Sequence, residues 1–278
     1  MALPVYRTIA DMRAQVAAWK ADGLRVGLVP TMGALHAGHL SLVGEIALHC
    51  DRIITSIFVN PAQFAAHEDL GTYPRDEAAD LTALQATKAD CVFAPKVSEM
   101  YPDGFTTAIT LDGPALGLET DNRPHFFGGV ALIVNKLLSQ SQTDVAIFGE
   151  KDYQQLLVIR RMVRDLDLPV EILSGPIIRE ADGLAMSSRN VYLSETQRPI
   201  AAKLNGILKA LAGNAADRKT AEAEAHDALT EAGFTSVDYA TIRDAETLAV
   251  PSEATTSRRA LIVARLGDVR LLDNMAAR

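Results

Sequence analysis

The chain has 278 residues, 48% hydrophobic and 22% charged, enough to bury a core and unlike a fibrous, peptide or wholly disordered protein. At a typical ~150 residues per domain this is one large or two modest domains. Lys plus Arg number 27 against 35 for Asp plus Glu, and the net charge of −8 argues against a protein that coats nucleic acid.

The opening MALPVYRTIADMRAQ meets Arg7, Asp11 and Arg13 before an apolar leader can develop. No later stretch reaches the ~18 uninterrupted apolar residues of a membrane span. A soluble, cytoplasmic protein with no membrane partner is expected. Cys50 and Cys91 are the only cysteines, too few for a disulfide framework or a cysteine metal cage, which suits a reducing compartment.

From residue 24 to about 173, β-rich runs alternate with helical patterns: LRVGLV (24–29), IITSIFV (53–59), DCVFA (90–94), DVAIF (144–148) and PVEIL (169–173). That order predicts a parallel sheet. Leu40, Val43, Ile46, Ala47 and Cys50 recur at helical spacing after the first run, as do Leu156, Ile159, Val163 and Leu166 after DVAIF. Ligands of open α/β sheets gather at the carboxyl ends of the strands, where helix N-termini offer free N–H groups. After about residue 175 the pattern changes to a loop, an amphipathic segment at 195–212, an Ala/Glu-rich helix at 218–232 and strands at 234–242 and 260–272. Gly267-Asp268 has the two-residue form of a hairpin turn, so a smaller second domain with antiparallel pairing is expected. The acidic 221–232 stretch is a solvated helix face by composition.

Four constellations could carry chemistry. Pro30-Thr31-Met32-Gly33-Ala34-Leu35-His36-Ala37-Gly38-His39 lies between the first strand and its helix. Its glycines allow close backbone approach, and imidazoles at i and i+3 of a helix start can donate to phosphate oxygens. A zinc site would need a third ligand, and His49 and His67 show no suitable spacing. Phe58-Val59-Asn60-Pro61-Ala62-Gln63-Phe64 ends the second strand, and Asn60 and Gln63 either serve a polar small-molecule pocket or cap an Asn-Pro turn. Tyr73 joins that pocket or packs. Gly149-Glu150-Lys151-Asp152-Tyr153-Gln154-Gln155 stands at another strand-to-helix junction, where Lys151 can meet phosphate and Asp152 a ribose hydroxyl, or both can be surface charges. Met186-Ser187-Ser188-Arg189-Asn190, after Arg179-Glu180-Ala181-Asp182-Gly183, forms a phosphate-gripping loop able to move. Neither a Walker loop nor a GxSxG elbow occurs.

In this order and at these separations the motifs resemble the pantothenate synthetase family, the ATP-dependent pantoate–β-alanine ligases. PTMGALHAGH is similar to that family's nucleotide motif, related to the HIGH element of class I aminoacyl-tRNA synthetases, and AMSSRN takes the place of their KMSKS loop. The resemblance spans roughly residues 28 to 193, and FVNPAQF and FGEKDYQQL are its most specific parts.

The resemblance implies an α/β fold: a Rossmann-like parallel-sheet nucleotide-binding domain of the class I synthetase and nucleotidyltransferase type at 1–176, with a smaller C-terminal α+β lid domain at 177–278. It implies ATP as co-substrate, Mg²⁺ carried without a dedicated protein ligand set, pantoate and β-alanine as substrates, and a homodimer. His36 and His39 would meet ATP phosphates, Gly38 would lie beneath adenine and Asp152 would face ribose. Lys151, Ser187, Ser188 and Arg189 would gather at the phosphates, with backbone near Ile178 and Met186 at adenine and Met32 and Gly149 completing the nucleotide site. Gln63 and Gln155 would hold pantoate against a wall of Pro30, Thr31, Met32 and Phe58, with Asn60 nearby.

One departure stands out. The family reads R-P-x-H-F-x-G-V where this chain has Arg123-Pro124-His125-Phe126-Phe127-Gly128-Gly129-Val130, so His125 is given no site role. The implied reaction activates the pantoate carboxylate as an acyl-adenylate, which β-alanine attacks with release of AMP. Two rivals share the clamp residues: a nucleotidyltransferase acting on a phosphate-bearing acceptor, which would need a basic acceptor pocket, and a nucleotide-sensing module without turnover.

Overall fold

The computed structural model describes residues 3–65, 68–214 and 217–278. The N-terminal part runs β1 (Val5–Tyr6), α1 (Ile9–Ala21), β2 (Val26–Thr31), α2 (Ala37–Ile46), β3 (Arg52–Ile57), α3 (Glu77–Gln85), β4 (Cys91–Phe93), α4 (Val97–Met100), α5 (Glu119–Asn122), α6 (Phe126–Ser141), β5 (Val145–Gly149), α7 (Tyr153–Asp165) and β6 (Glu171–Gly175). The strands form one parallel sheet in the order β1-β4-β3-β2-β5-β6.

Both faces of this sheet are covered, which is why its strands read as nearly continuous apolar runs. Neighbouring residues on a strand go to opposite sides. Leu28 and Ile54 join Met12 and Val16 of α1, Ile133 of α6 and Ile159 of α7 in one core cluster. Val29 and Ile53 join Leu42 and Ile46 of α2 and Leu84 of α3 in another. The five expected strands are present within a few residues of their expected bounds. The edge strand β1 has two residues, too short to show a period.

The C-terminal part comprises α8 (Arg198–Gly213), α9 (Arg218–Ala232), β7 (Ser236–Asp244), β8 (Arg258–Leu266) and β9 (Val269–Ala277), with β7-β8-β9 antiparallel. Gly267 takes φ +58° at the two-residue turn, between the paired Leu266 and Val269. The segment 260–272 is therefore the two arms of a hairpin. In α9 the Asp217 carboxylate accepts from the Thr220 N–H, Gly233 ends the helix at φ +104°, and Ala221, Ala225 and Leu229 form the buried stripe. The remaining acidic face is largely solvated, except that Glu222 accepts from Thr241 Oγ1 at 2.7 Å and the Ile242 N–H at 2.8 Å. These helices and strands share their own core around Leu204, Leu208, Ile242 and Ile262. No helix among the described residues is long and apolar enough to cross a membrane.

What positions the site is the strand order. β2 lies between β3 and β5. The chain builds outward from β2 through β3 to β4, then crosses back to β5 on the other side. Loops following strands on either side of such a switch diverge and leave a crevice at the carboxyl edge.

Candidate active site

Every site residue named from the sequence borders one cleft of ≈1210 Å³ at that crevice. Its floor is the loop joining β2 to α2. Gly33 and Ala34 adopt φ +81° and +50°, a left-handed pair that turns successive N–H groups inward. The Asp80 carboxylate accepts from the Ala34 and Leu35 N–H groups at 3.0 and 2.7 Å. Burial raises its pKa, against the pull of those N–H groups. Thr31 Oγ1 donates to the Ser56 carbonyl at 2.7 Å and accepts from the Gly33 N–H at 3.2 Å. Thr31 thus ties the ends of β2 and β3 together beneath the cleft.

His36 caps α2, with its Nδ1 accepting from the Gly38 N–H at 3.1 Å, while His39 Nδ1 accepts from the His36 N–H at 3.4 Å. The ring centroids are 4.1 Å apart. Burial, then the Lys151 charge, lowers the His36 pKa to about 4. Burial, then His36 and Lys151, lowers that of His39 to about 3. Both imidazoles are therefore neutral at pH 7. With Nδ1 occupied as an acceptor, each proton sits on Nε2, and each ring is a neutral N–H donor. A Cβ at Gly38 would come 2.9 Å from the His36 ring, so any other residue here displaces the capping imidazole.

The loop after β5 supplies the facing wall. A tight turn, Glu150–Asp152, leads into α7. Lys151 Nζ is 3.9 Å from Asp152 Oδ2, and its charge reaches both histidines. The amide of Gln155 has no hydrogen bond to another described residue. Its neighbour Gln154, by contrast, is buried and committed to the Glu119 N–H and the Pro114 and Gly117 carbonyls.

Beyond the end of β3, Phe58 is 5% exposed and forms an apolar wall with Pro30, Met32 and the Val130 face of α6. Asn60 donates from Nδ2 to Gln63 Oε1 and to the Gly129 carbonyl, both at 3.1 Å, and accepts from Tyr101 Oη at 2.7 Å and the Ala62 N–H at 3.3 Å. The amide of Asn60 is consumed in orienting Gln63. Gln63 Nε2 is left facing Met32 Sδ at 3.2 Å, a weak acceptor that a better one can replace.

The fourth wall comes from the C-terminal part. The Met186 N–H donates to the Ile178 carbonyl at 2.9 Å, so the segments matched to adenine lie side by side. Arg189 makes a bidentate pair with Asp69, both contacts at 2.9 Å, and its guanidinium is 5.5 Å from the Tyr73 ring. Burial opposes that charge, but the Asp69 carboxylate more than compensates and the pKa is raised. Tyr73 Oη is 3.1 Å from Ser188 Oγ, and Tyr192 Oη donates to the Thr72 carbonyl at 2.9 Å. The loop is docked along residues 69–73.

Sequence reading missed Asp80, Asp69 and Arg123. Arg123 borders the cleft, pairs with Glu68 at 2.7 and 2.5 Å and stacks on Phe126 at 3.9 Å. None has a local pattern that reveals its partner, although Arg123 lies in the frame quoted for the resemblance. His125 lies at the start of α6, outside the cleft lining, 3.9 Å from Glu68. His67 lies outside the described residues. Among those residues no three His, Cys, Asp or Glu side chains converge on a metal position. Burial raises the pKa of Cys50 to about 11 and that of Cys91 to about 12, so neither is a thiolate nucleophile.

The family model described as pantoate–β-alanine ligase matches residues 4–276. The chain is 52% identical to a pantothenate synthetase of Caulobacter vibrioides over 278 residues, 98% of each chain. It is 53% identical to one of Mesorhizobium japonicum over 274 residues, 98% of this chain and 96% of that one. Among solved structures, a pantothenate synthetase from Thermus thermophilus superposes with TM-score 0.91 at 42% identity, over 98% of this chain and 99% of that one. A pantoate–β-alanine ligase from Francisella tularensis, described as complexed with β-γ ATP and β-alanine, gives 0.83 at 31% identity, over 99% and 98%. The cleft geometry and these similarities agree, and the chain belongs to the pantoate–β-alanine ligase family.

Proposed function

We propose that this protein condenses pantoate with β-alanine at the expense of ATP, through a pantoyl-adenylate. The observation that carries the reading is the meeting, in one cleft, of a cationic and N–H-rich phosphate clamp with an apolar pocket whose polar groups are the neutral amides of Gln63 and Gln155. In the first step a pantoate carboxylate oxygen attacks the α-phosphorus and the bond to the bridging oxygen breaks, releasing pyrophosphate. His36 and His39 donate Nε2–H to phosphate oxygens. Lys151, Ser187, Ser188 and Arg189 stabilise charge as it moves onto the leaving group, and positioning supplies much of the remainder. Asp152 faces ribose, while Gly38, Gly149 and the Ile178 and Met186 backbone frame the nucleotide. In the second step the β-alanine nitrogen attacks the acyl carbon and AMP leaves. No protein nucleophile is required.

The donor set suits Mg²⁺ delivered on ATP. Mg²⁺ commonly takes one or two carboxylates plus substrate phosphates, and the cleft offers Asp152, with Asp69 engaged by Arg189. When bound, the ion would neutralise phosphate charge. A phosphate-bearing acceptor fits less well, because outside the nucleotide clamp the cleft guanidiniums of Arg123 and Arg270 are each already paired with a carboxylate. We further assign residues 1–176 and 177–278 to two domains, on the strength of their main core clusters, which a small cluster of Leu118, Leu157, Leu248 and Leu261 joins, and expect a cytoplasmic homodimer as the family resemblance implies.

Isotope exchange tests the proposal. With ATP, Mg²⁺ and pantoate but no β-alanine, labelled pyrophosphate should enter ATP, and added β-alanine should release AMP. A phosphate-directed nucleotidyltransferase would exchange only with its own phosphorylated product, and a sensing module not at all. Folded, ATP-binding protein without pantoate-dependent exchange would refute the assignment.

A further inference from the structure

We propose that Asn274 of β9 is a positioning residue for Lys151, holding the phosphate-binding turn from the C-terminal sheet. The inference rests on the clamp reading above. Asn274 is 2% exposed. Its Nδ2 donates to the Glu150 carbonyl at 3.0 Å and to the Lys151 carbonyl at 2.8 Å, so both amide hydrogens are spent on the backbone of one turn. Its Oδ1 accepts from Arg259 Nε at 2.7 Å. Arg259 in turn reaches Glu150 Oε2 at 3.0 Å and stacks on Tyr153 at 3.9 Å. The turn at Glu150–Asp152 has no side-chain cap of its own.

The preceding residue extends the same hold. Asp273, also 2% exposed, accepts from the Asn274 N–H at 2.8 Å and takes Arg179 in a bidentate pair at 2.5 and 2.9 Å. Arg179 also donates to the Gly183 carbonyl at 3.0 Å, across the hairpin that leads to Ser187, Ser188 and Arg189. One dipeptide of β9 therefore anchors the Lys151 turn and the root of the opposing loop. A lysine chain is long and flexible, so where its ammonium can act is set by its Cα, and the Cα is set by this turn. A misplacement of about 1 Å in such a group can cost about a hundredfold in rate.

A double-mutant cycle in pyrophosphate exchange, using the full chain, separates positioning from mere stability. Asn274→Ala should raise the KM for ATP and lower exchange by about tenfold or more, with the KM for pantoate unchanged within about twofold. On a Lys151→Ala background the same change should cost less than about twofold, since residues acting as a unit are non-additive. Asn274→Asp keeps the shape and the Arg259 contact but loses both N–H donors, and should reproduce the ATP defect even if the alanine variant folds poorly. Equal losses on both backgrounds, or a wild-type KM for ATP in Asn274→Asp, would overturn the inference while leaving the clamp intact. If Lys151→Ala itself exchanges normally, the clamp reading falls, and the inference with it.

Discussion

His36 and His39 illustrate how far residue type alone carries an argument. Two imidazoles at a helix start suggest phosphate donors, yet a charged pair and a neutral pair behave differently. The structure selects the neutral form, through burial and the Lys151 charge. Because the folded pKa values lie below the ordinary ~6.5, the unfolded chain binds more protons from about pH 6.5 down to about pH 4 at His36 and about pH 3 at His39. Stability from these rings is complete above that window and is lost as pH falls through it. Melting temperatures should decline from pH 7 to 4.5, and decline less in His39→Gln. His36→Ala or His39→Ala should lower pyrophosphate exchange at least about tenfold, since ~1.4 kcal/mol of transition-state stabilisation corresponds to that factor. The profile of kcat/KM for ATP should carry no inflection near pH 6.5. An acid limb there that vanishes in His36→Ala would show that the ring works as a cation.

Among the elements, α6 does most to shape the acid pocket. It is buried nearly all round, from Phe127 to Ser141, and so lacks the polar stripe by which an amphipathic helix announces itself. Its tight seat is made by Gly129, where a Cβ would lie 2.2 Å from the Ala62 carbonyl oxygen. The helix thereby brings its Gly129 carbonyl to Asn60, and Asn60 orients Gln63. Gly129→Ala should destabilise the protein by about 1–3 kcal/mol, the usual range for overpacking, as read by urea denaturation. It should also raise the KM for pantoate more than that for ATP, because Gln63 moves while the β2–α2 loop does not. An unchanged pantoate KM would detach this helix from substrate binding.

Across the whole molecule, a chain of ion pairs joins the N-terminal part to the C-terminal sheet: Glu68–Arg123–Glu119–Arg270–Asp238. Glu119 belongs to the N-terminal part and Arg270 to β9, and their side chains are 9% and 13% exposed. Removing one member of such a buried pair leaves an uncompensated charge, at a typical cost of about 3–5 kcal/mol. Arg270→Ala, which removes the cation shared by Glu119 and Asp238, should lose stability of that order, and added salt should change the loss little because the pair is shielded from solvent. A loss below about 1 kcal/mol, or one abolished by moderate salt, would mark the network as a surface feature.

Local physics was legible in the residue order. Strands covered on both faces appear as apolar runs, and the Gly267-Asp268 turn requires backbone that glycine allows. The motif loops could be placed at strand ends for the same reason, and the four constellations do meet in one cleft. Tertiary structure alone decided which distant groups complete them. Asp80 receives the N–H groups of Ala34 and Leu35, Asp69 takes Arg189, and Asn274 holds the carbonyls of Glu150 and Lys151. It also decided that Asn60 serves Gln63 and that both histidines are neutral. Periodicity and spacing record only what a residue's near neighbours require. A hydrogen bond or a desolvated charge depends on groups that the order of the strands brings together from far along the chain.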